Sequence, residues 1–419
     1  MSRILCFDSW TRGSRHFVRL QNAFAQEGLQ LKLVHLGSWG NDVGRPVVEN
    51  IEQLDVADIA AYRGIDFDWI LESEKPDAVV FLSTGTFAHR AMIRYCRARG
   101  IPTLNLYHGL LAVQAMGSYE LAPKVYAGFV LRRLKKTFVK TLPCYVRSLR
   151  ATRATPRDWL FFLKDVFDLA TGRIINSGHY ADDARTTHCC VYTKADISHA
   201  ESLYGFSAEE VTVVGNPDLI HFGLQAKHIG RCLDPVRPLQ PWIMYIDTAL
   251  VSLGIAYSSW ENFRQHIEAT AESCRRLGYK LLLKPHPWHD IGRLKESFAG
   301  HNVELVAGDD FLAKLERCVA CIVEPSSVTL VPMLLGLPVA CARYGPLCNM
   351  QYGPVLTSYP RGQLLGALTD LPDFIRTQAS VVSPSLFSKW ANENSGPLPP
   401  EAMPNRVAGV VKNLLRAPR

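Results

Sequence analysis

Short apolar runs alternate with amphipathic stretches along most of the chain. In the first half, the runs that predict β-strands cover residues 4–8, 31–36, 76–82 and 102–106. Residues 14–27 and 86–99 lie between such runs and carry apolar side chains on one side, a pattern that predicts helices. Apolar strands separated by helices indicate a parallel sheet that is covered on both faces. The first half is therefore predicted to form a Rossmann-like α/β domain.

The second half repeats this architecture. Its predicted strands cover residues 242–246, 280–283, 303–306, 320–323 and 338–341. Residues 223–241 contain three prolines and little periodicity, which predicts a linker. The predicted organisation is an N-terminal domain over residues 1–222, the linker, a C-terminal domain over 242–403 and a closing helix over 404–419. Two such domains are expected to face a central cleft, with ligands at the carboxyl ends of both sheets.

Composition and cysteine usage narrow the class of protein. Of the 419 residues, 47% are hydrophobic and 20% charged, which excludes a disordered or coiled-coil chain. The 11 cysteines are scattered among apolar neighbours, so we expect free thiols and a cytoplasmic protein. No apolar run reaches the roughly 20 residues of a membrane-spanning helix. The sequence contains no P-loop and no GxGxxG pattern, which argues against an NTPase and a dehydrogenase.

A strand that ends in Lys284-Pro285-His286-Pro287 is the first candidate for chemistry. The strand would place Lys284 and His286 at the carboxyl edge of the second sheet. The two prolines restrict the backbone around the histidine. The alternative is a stiff strand-to-helix turn in which the histidine has no functional role.

A second strand runs into Glu324-Pro325-Ser326-Ser327 at the start of a helix. Serine is a favourable N-cap, and the free backbone N–H groups of a helix start can receive an anion such as a phosphate. Glu324, at the end of the strand, is a candidate acceptor for ribose hydroxyls. The alternative is ordinary helix capping.

The order Lys-Pro-His-Pro, then Glu-Pro-Ser-Ser, then Gly-Leu-Pro resembles the HP and Ser-Ser motifs of GT-B glycosyltransferases that use CMP-activated sugars. Bacterial sialyltransferases and Kdo transferases belong to that group, and CDP-glycerol polymerases look similar at these points. The resemblance covers the C-terminal half firmly and the N-terminal half only in outline. It implies a GT-B fold in which His286, Pro287 and the two serines hold the CMP phosphate and cytidine, while Lys284 adds positive charge.

Asp247 follows the first strand of the predicted C-terminal domain, which would direct its carboxylate into the cleft. By resemblance to the retaining β-Kdo transferases of O-antigen and capsule assembly, Asp247 is the candidate nucleophile that displaces CMP and forms a glycosyl-enzyme. Lys284, His286 and the helix dipole would neutralise the leaving phosphate, so neither a metal nor another cofactor is expected. A carboxylate that only caps the next helix is the alternative.

The first domain supplies candidates for the acceptor side. Asp182 and Asp183 are adjacent carboxylates that could provide the general base for the acceptor hydroxyl. The CMP-sugar families often carry an Asp/Glu-Asp-Gly motif in this domain, but no glycine follows here, and a surface or capping role is the alternative. His108, Gly109 and Asp8 end predicted strands and are expected to line the acceptor site.

Residues 121–157 carry ten lysines and arginines and no carboxylate, in a chain whose formal net charge is +7. Apolar residues at positions 126, 130, 134 and 138 form a helical stripe beside these cations. The pattern favours a helix that lies on an anionic membrane surface, at the inner face of the cytoplasmic membrane. The alternative is that the stripe packs on its own domain. No nucleic-acid-binding motif accompanies the charge, so nucleic acid is not an expected partner.

These patterns together predict a bacterial envelope glycosyltransferase that transfers a 2-keto sugar acid, with Kdo favoured, from CMP to a growing lipopolysaccharide or capsule saccharide. The acceptor is expected to be lipid-linked or an oligosaccharide. Alternatives with the same fold are a CMP-sialic or nonulosonic acid transferase and a CDP-glycerol glycerophosphotransferase. The two motifs disfavour a UDP-sugar transferase and a UDP-GlcNAc 2-epimerase. A non-catalytic glycan-binding GT-B domain is the alternative of a different class.

Overall fold

The computed structural model describes residues 1–8, 13–39, 46–62, 66–107, 137–170, 183, 185–234, 240–287, 289–378 and 383–417. The chain divides into two compact units. Of the described residues, the first unit contains those up to 107, those between 137 and 217, and 402–417. The second unit contains those between 218 and 401.

The first unit is built on an eight-stranded sheet. Its strands are β1 (Ser2–Asp8), β2 (Leu29–His35), β3 (Val48–Ile51), β4 (Leu54–Asp58), β5 (Ala78–Phe81), β6 (Thr103–Leu106), β7 (His188–Val191) and β8 (Val211–Val213). Their order is β3-β4-β2-β1-β5-β6-β7-β8. Every neighbouring pair is parallel except β3 and β4, which form an antiparallel hairpin. The predicted strands of the first half are confirmed, and the hairpin is an addition that the sequence pattern did not predict.

Helices cover this sheet and close the unit. They span Ser14–Val18, Gln21–Gln26, Phe67–Glu74, Phe87–Ala98, Leu142–Ala151, Pro156–Ala170, Ala195–Tyr204 and Met403–Arg416. The Phe87–Ala98 helix begins after Thr86, whose side chain accepts a hydrogen bond from the backbone of His89. Its apolar side joins Phe7 and Phe81 of the central strands in one buried core.

The second unit contains a six-stranded sheet in which every neighbouring pair is parallel. The strands are β9 (Trp242–Ile246), β10 (Lys280–Lys284), β11 (Val303–Leu305), β12 (Ala320–Val323), β13 (Val339–Ala342) and β14 (Gly362–Leu365). Their order is β11-β10-β9-β12-β13-β14, so β9 lies between the two motif-bearing strands β10 and β12. Along β9, Met244 and Ile246 enter one buried core and Ile243 and Tyr245 another, as expected of a strand covered on both faces.

The helices of the second unit lie between and after these strands. They span Pro217–His221, Leu250–Leu253, Trp260–Arg276, Ile291–Ser297, Phe311–Leu315, Leu330–Leu335, Pro354–Thr357, Leu371–Gln378 and Pro384–Asn394. The first of these helices begins at Pro217, which still belongs to the first unit, and continues into the second. Each unit is thus a Rossmann-like α/β domain, and the predicted two-domain α/β fold class is confirmed.

The boundary between the units differs from the predicted linker. Leu219, Leu224 and Cys232 are buried in the core of the second unit, so the residues on either side of position 223 already belong to that unit. The closing helix, Met403–Arg416, belongs to the first unit, where Arg406 donates a hydrogen bond of 3.0 Å to the Val214 carbonyl. The predicted cleft between the two domains stays a prediction.

Within the part of the chain that the structure describes, no helix combines the length and the apolar character needed to cross a membrane.

Candidate functional site

Both sequence motifs lie at the same edge of the second sheet, on either side of the end of β9. The Lys-Pro-His-Pro turn follows β10 and the Glu-Pro-Ser-Ser segment follows β12, and both strands pair with β9 in parallel. Strands two places apart in a sheet are about 10 Å apart. The ends of the two motifs therefore approach each other across Asp247 and Thr248, the residues that follow β9.

Asp247 holds the histidine turn. Its Oδ2 accepts a hydrogen bond of 2.9 Å from the backbone N–H of His286, and its Oδ1 accepts one of 2.9 Å from Ala249. The Nε2 atom of His289 lies 2.8 Å from Oδ2, an ion-pair distance at which the ring N–H is not aligned for a hydrogen bond. The Asp247 side chain is buried with these partners. In this conformation both of its oxygens are engaged by the chain.

His289 also stabilises the histidine turn. Its backbone N–H donates to the His286 carbonyl at 3.0 Å, which closes the turn. Its ring stacks on Phe263, with 5.6 Å between the ring centroids, and meets Trp260 edge-on. The ring that approaches Asp247 is therefore fixed by packing on the Trp260–Arg276 helix.

Lys284 is largely buried, and its ammonium group is close to the turn. The Nζ atom donates to the Pro285 carbonyl at 2.8 Å and lies 5.9 Å and 5.7 Å from the ring centroids of Phe222 and Phe311. Burial lowers the pKa of Lys284, and the Asp247 carboxylate opposes that shift. His286 is half-buried and Pro287 is exposed, so these two residues form the accessible part of the turn.

Glu324 lies in the interior and accepts hydrogen bonds from four donors. Tyr245 and Tyr257 donate their hydroxyls to Oε1 at 2.9 Å and 2.6 Å, and Thr248 donates its backbone N–H and hydroxyl to Oε2, both at 2.9 Å. Burial, reinforced by the Asp247 carboxylate, raises the pKa of Glu324 to about 7. Because a carboxylate has about four acceptor positions, the ribose contact predicted for Glu324 would have to displace one of these donors. That contact stays a prediction.

Ser326 caps the start of the next helical turn, as predicted, and Ser327 is the first residue of that turn. Ser326 Oγ accepts a hydrogen bond of 3.3 Å from the backbone N–H of Val328. Ser327 donates its hydroxyl to Asp218 Oδ2 at 2.9 Å. Both residues are half-buried. Asp218, on the Pro217–His221 helix, thus accepts the hydrogen bond of the Ser327 hydroxyl. The sequence predicts a phosphate as the partner of this serine.

A buried group of rings contacts Tyr245, one of the donors to Glu324. Tyr245 Oη lies 3.1 Å from His266 Nε2, and the His266 ring stacks on Tyr344 at 4.9 Å. Burial lowers the pKa of His266 to about 4, so the ring is neutral at physiological pH. The four donors of Glu324 are consequently held by a packed interior.

Asp183 and Asp8 are the candidates of the first unit that the structure describes, and both are buried in that unit. Asp183 is 1% exposed, accepts from Arg90 Nε at 2.9 Å and from Arg94 at 3.1 Å, and receives the Tyr145 hydroxyl. A general base must be reachable by the acceptor, so this placement in the core does not support that role for Asp183. Asp8 is also buried: an added Cβ on Gly13 would come within 1.9 Å of its Oδ2.

Other predicted residues lie outside the described residues. These are His108, Gly109, Asp182 and the part of the basic segment that covers residues 121–136. Their roles, and the helical stripe of the basic segment, stay predictions.

The sequence did not single out Thr248, Tyr257, His289 or Asp218. A second histidine three positions after His286, in the same turn, was the one local signal for His289. Thr248 directly follows the candidate Asp247, whereas Tyr257 and Asp218 reach the site from places that carry no motif, and only the fold brings them there.

No group of three or more histidine, cysteine, aspartate or glutamate side chains is arranged for a metal ion among the described residues. A reaction without metal or cofactor stays a prediction.

Comparisons with known proteins bear on the fold. No family model matches the chain, and no curated protein is similar to it. Among solved structures, the UDP-GlcNAc 2-epimerase of Methanocaldococcus jannaschii, in complex with UDP-GlcNAc and UDP, matches with a TM-score of 0.51 and 11% identity over 98% of this chain and 99% of its own. S. aureus MnaA with UDP matches with a TM-score of 0.51 and 14% identity, over 99% and 97% of the two chains. The calicheamicin glycosyltransferase CalG4 has a TM-score of 0.49 at 14% identity, with all of both chains covered.

The chain has the GT-B fold. Similarity at this level of identity extends to the fold alone.

Proposed function

We propose that the protein is a glycosyltransferase that transfers a 2-keto sugar acid, with Kdo favoured, from CMP to a growing lipopolysaccharide or capsule saccharide. The observation that carries the proposal is the meeting of the two motifs at the end of β9. Asp247 is bonded to the histidine turn and its neighbour Thr248 to Glu324, so one short segment ties both motifs together. The carboxyl edge of a parallel sheet is where open α/β folds bind nucleotides.

The exposed groups at this edge suit a nucleotide phosphate. His286 and Pro287 form the accessible part of one turn, and Ser326 and Ser327 supply hydroxyls at a helix start. A phosphate that reached Ser327 would replace the Asp218 carboxylate as the acceptor of its hydroxyl. Donors already directed at a leaving phosphate stabilise the charge that develops on it, so the Ser327 hydroxyl would contribute once it has turned from Asp218 to the phosphate.

The proposed reaction is a double displacement. A carboxylate oxygen of Asp247 attacks the anomeric carbon, the bond from that carbon to the phosphate oxygen breaks, and CMP leaves with the electron pair. The acceptor hydroxyl then attacks the same carbon, its proton passes to solvent, and the bond from that carbon to the Asp247 oxygen breaks and releases the carboxylate. Since Asp247 is buried with both oxygens engaged, this role requires the contact with His286 or Ala249 to open. An anchoring role, in which Asp247 only positions the turn, is the simpler use of the observed contacts.

An Asp247→Asn variant separates the two roles. Asparagine keeps one oxygen acceptor but is not a nucleophile. If Asp247 is the nucleophile, the wild-type protein incubated with CMP-Kdo should carry a sugar adduct on Asp247, seen by mass spectrometry of its peptides. The variant should then still bind CMP but lose at least about a thousandfold in CMP release. A variant that loses CMP binding and turnover in parallel would mark Asp247 as an anchor, and full activity would exclude both roles.

The second candidate is a UDP-GlcNAc 2-epimerase. It is favoured by matches with TM-scores above 0.5, among them a UDP-GlcNAc 2-epimerase with UDP-GlcNAc and UDP and S. aureus MnaA with UDP. The remaining alternatives keep the fold and change the donor to CMP-sialic acid, another CMP-nonulosonic acid or CDP-glycerol. Incubation with each donor in turn discriminates among them. Release of CMP from CMP-Kdo supports the proposal, whereas conversion of UDP-GlcNAc without transfer would establish the epimerase, and binding without turnover would establish a glycan-binding domain.

A further inference from the structure

The Pro156–Ala170 helix of the first unit is anchored firmly on its inner side. Phe162 is buried there, and Asp165 pairs with Arg90 in the interior of the unit. Asp158 lies 3.4 Å from Arg94 at the start of the same helix. Because a buried ion pair and a buried ring hold this side, the helix cannot turn its other side inward without breaking them.

The outer side of this helix is also apolar. Leu160, Leu163 and Phe167 are 67%, 60% and 59% exposed. At 3.6 residues per turn they fall within roughly 60° of one another around the helix axis. A surface helix ordinarily carries charged or polar side chains on that side. We call these three residues the outer apolar face.

Positive charge borders the outer apolar face. Arg157 and Lys164 are exposed on the helix itself, and Arg153 is exposed just before it. The carboxylates at positions 158 and 165 are engaged on the inner side, as described above. Among the described side chains of the helix, those that are exposed therefore combine large apolar groups with cations and no carboxylate.

We propose that the outer apolar face docks on an anionic lipid bilayer. Leu160, Leu163 and Phe167 enter the interface between head groups and acyl chains, and Arg153 and Arg157 meet the lipid phosphates. The helix has 15 residues and a length of about 22 Å, which suits a helix that lies in the plane of the interface. A second copy of the same chain is a poorer partner, because two cationic faces would repel each other.

This surface lies outside residues 121–136 and belongs to the first unit, whereas the candidate nucleotide site belongs to the second. The inference therefore does not rest on the proposed function. A protein that binds membranes but no nucleotide would support this inference and contradict the proposed function. A protein that binds a nucleotide but no membrane would do the reverse.

Vesicle sedimentation with the full chain tests the proposal. The vesicles consist of phosphatidylcholine alone or of phosphatidylcholine with phosphatidylglycerol. The test variant is Leu160→Ser/Leu163→Ser, which leaves the buried side of the helix unchanged. The matched control is Val48→Ser/Leu386→Ser, since these side chains are likewise exposed, at 66% and 53%. Thermal melts of both variants should match that of the wild-type protein, because neither double change removes a buried group.

We expect the wild-type protein and the control to bind only vesicles that contain phosphatidylglycerol, and to be released as salt is raised. The test variant should lose at least about tenfold in vesicle partition. An Arg153→Glu/Arg157→Glu variant should lose the preference for phosphatidylglycerol. A wild-type protein that binds neither vesicle, or a test variant that binds like the control, would overturn the proposal. So would a wild-type dimer that the leucine changes convert to a monomer, since a second copy would then cover the face.

Discussion

Two buried carboxylates, Asp247 and Glu324, follow adjacent strands at the candidate site. Each is satisfied by donors of the chain, but in different ways. Asp247 takes one backbone N–H from the histidine turn and one from Ala249, whereas Glu324 takes three hydroxyls and one N–H. Their mutual repulsion, added to burial, raises the pKa of Glu324. Burial and repulsion therefore destabilise the ionised form of Glu324, and the stability of the protein depends on pH through this residue.

The raised pKa of Glu324 predicts how stability changes with pH. The folded protein titrates this group at about 7, against an ordinary value of 4.5. Between these values the folded state binds more protons than the unfolded state, so the free energy of unfolding falls as pH rises through this window. The total fall is about 3 kcal/mol.

Glu324→Gln removes the titration. The variant is less stable overall because glutamine cannot accept from all four donors. The free energy of unfolding of the variant should nevertheless not fall with pH in this window. The difference in free energy of unfolding between the wild-type protein and the variant should therefore shrink by about 3 kcal/mol from pH about 4.5 to about 7, measured by denaturant unfolding. Glu393→Gln, at an exposed position, is the control and should follow the wild-type curve. A Glu324→Gln curve parallel to the wild type across this window would refute the assignment.

Individual residues also show where sequence reasoning stops. Asp247, His286 and Glu324 were found because each ends an apolar strand, and parallel strands bring their carboxyl ends to one edge. Tyr257 bonds to Glu324 from 67 positions away, and His289 reaches Asp247 from 42. Tyr257 carries no local pattern, and the one signal for His289 is its place three positions after His286. The contacts of both residues depend on how the Trp260–Arg276 helix packs on the sheet.

At the scale of secondary-structure elements, the continuous apolar strands were predictable and the hairpin of β3 and β4 was not. Its turn places Glu52 and Gln53 at φ 49° and 72°, with the Asn50 side chain accepting from the Gln53 backbone. Such turns usually contain Asn-Gly or Asp-Gly, which is the signal that sequence reading relies on. Here the conformation is imposed by strand pairing and by a side-chain hydrogen bond.

The position of the closing helix also could not be predicted from the local sequence. Its apolar stripe, with Val407 and Val411 buried, would fit against either unit. The choice of the first unit is made by distant groups: Arg406 bonds to Val214, and Lys412 pairs with Glu27. No local feature of the sequence identifies those partners.

A buried ionic cluster joins three helices of the first unit, which explains why Asp183 is not accessible. Arg90, on the Phe87–Ala98 helix, contacts Asp165, Asp183 and the Tyr145 hydroxyl. Removing one partner of such a cluster leaves uncompensated charge in the core. Arg90→Met should therefore lower the free energy of unfolding by about 3–5 kcal/mol, measured by denaturant unfolding.

The exposed pair of Arg376 and Asp373 provides the control. Its side chains are 77% and 72% exposed, so Arg376→Met should change the free energy of unfolding by less than about 0.5 kcal/mol. Neutralising a carboxylate together with the arginine, as in Arg90→Met/Asp183→Asn, should recover part of the loss. Equal effects of Arg90→Met and Arg376→Met would show that the cluster does not stabilise the unit.

At the scale of the whole molecule, the sequence was sufficient for the fold class because two series of apolar strands and helices repeat along the chain. It was less informative about the edges of the domains, because residues near position 223 look like a linker but bury Leu219 and Leu224. The choice of nucleotide at the proposed site does not follow from the fold class, because it depends on a few accessible groups at one sheet edge.

Calorimetric titration of CMP and UDP into the protein is the most direct test of the account. We predict that CMP binds and that UDP binds at least about tenfold more weakly. His286→Ala and Ser327→Ala, on the two sides of β9, should each weaken CMP by about tenfold, since a hydrogen bond to a charged group is worth about 1.5–3 kcal/mol. Tighter binding of UDP, or a loss of CMP affinity from only one of the two variants, would contradict the claim that both motifs grip one cytidylate.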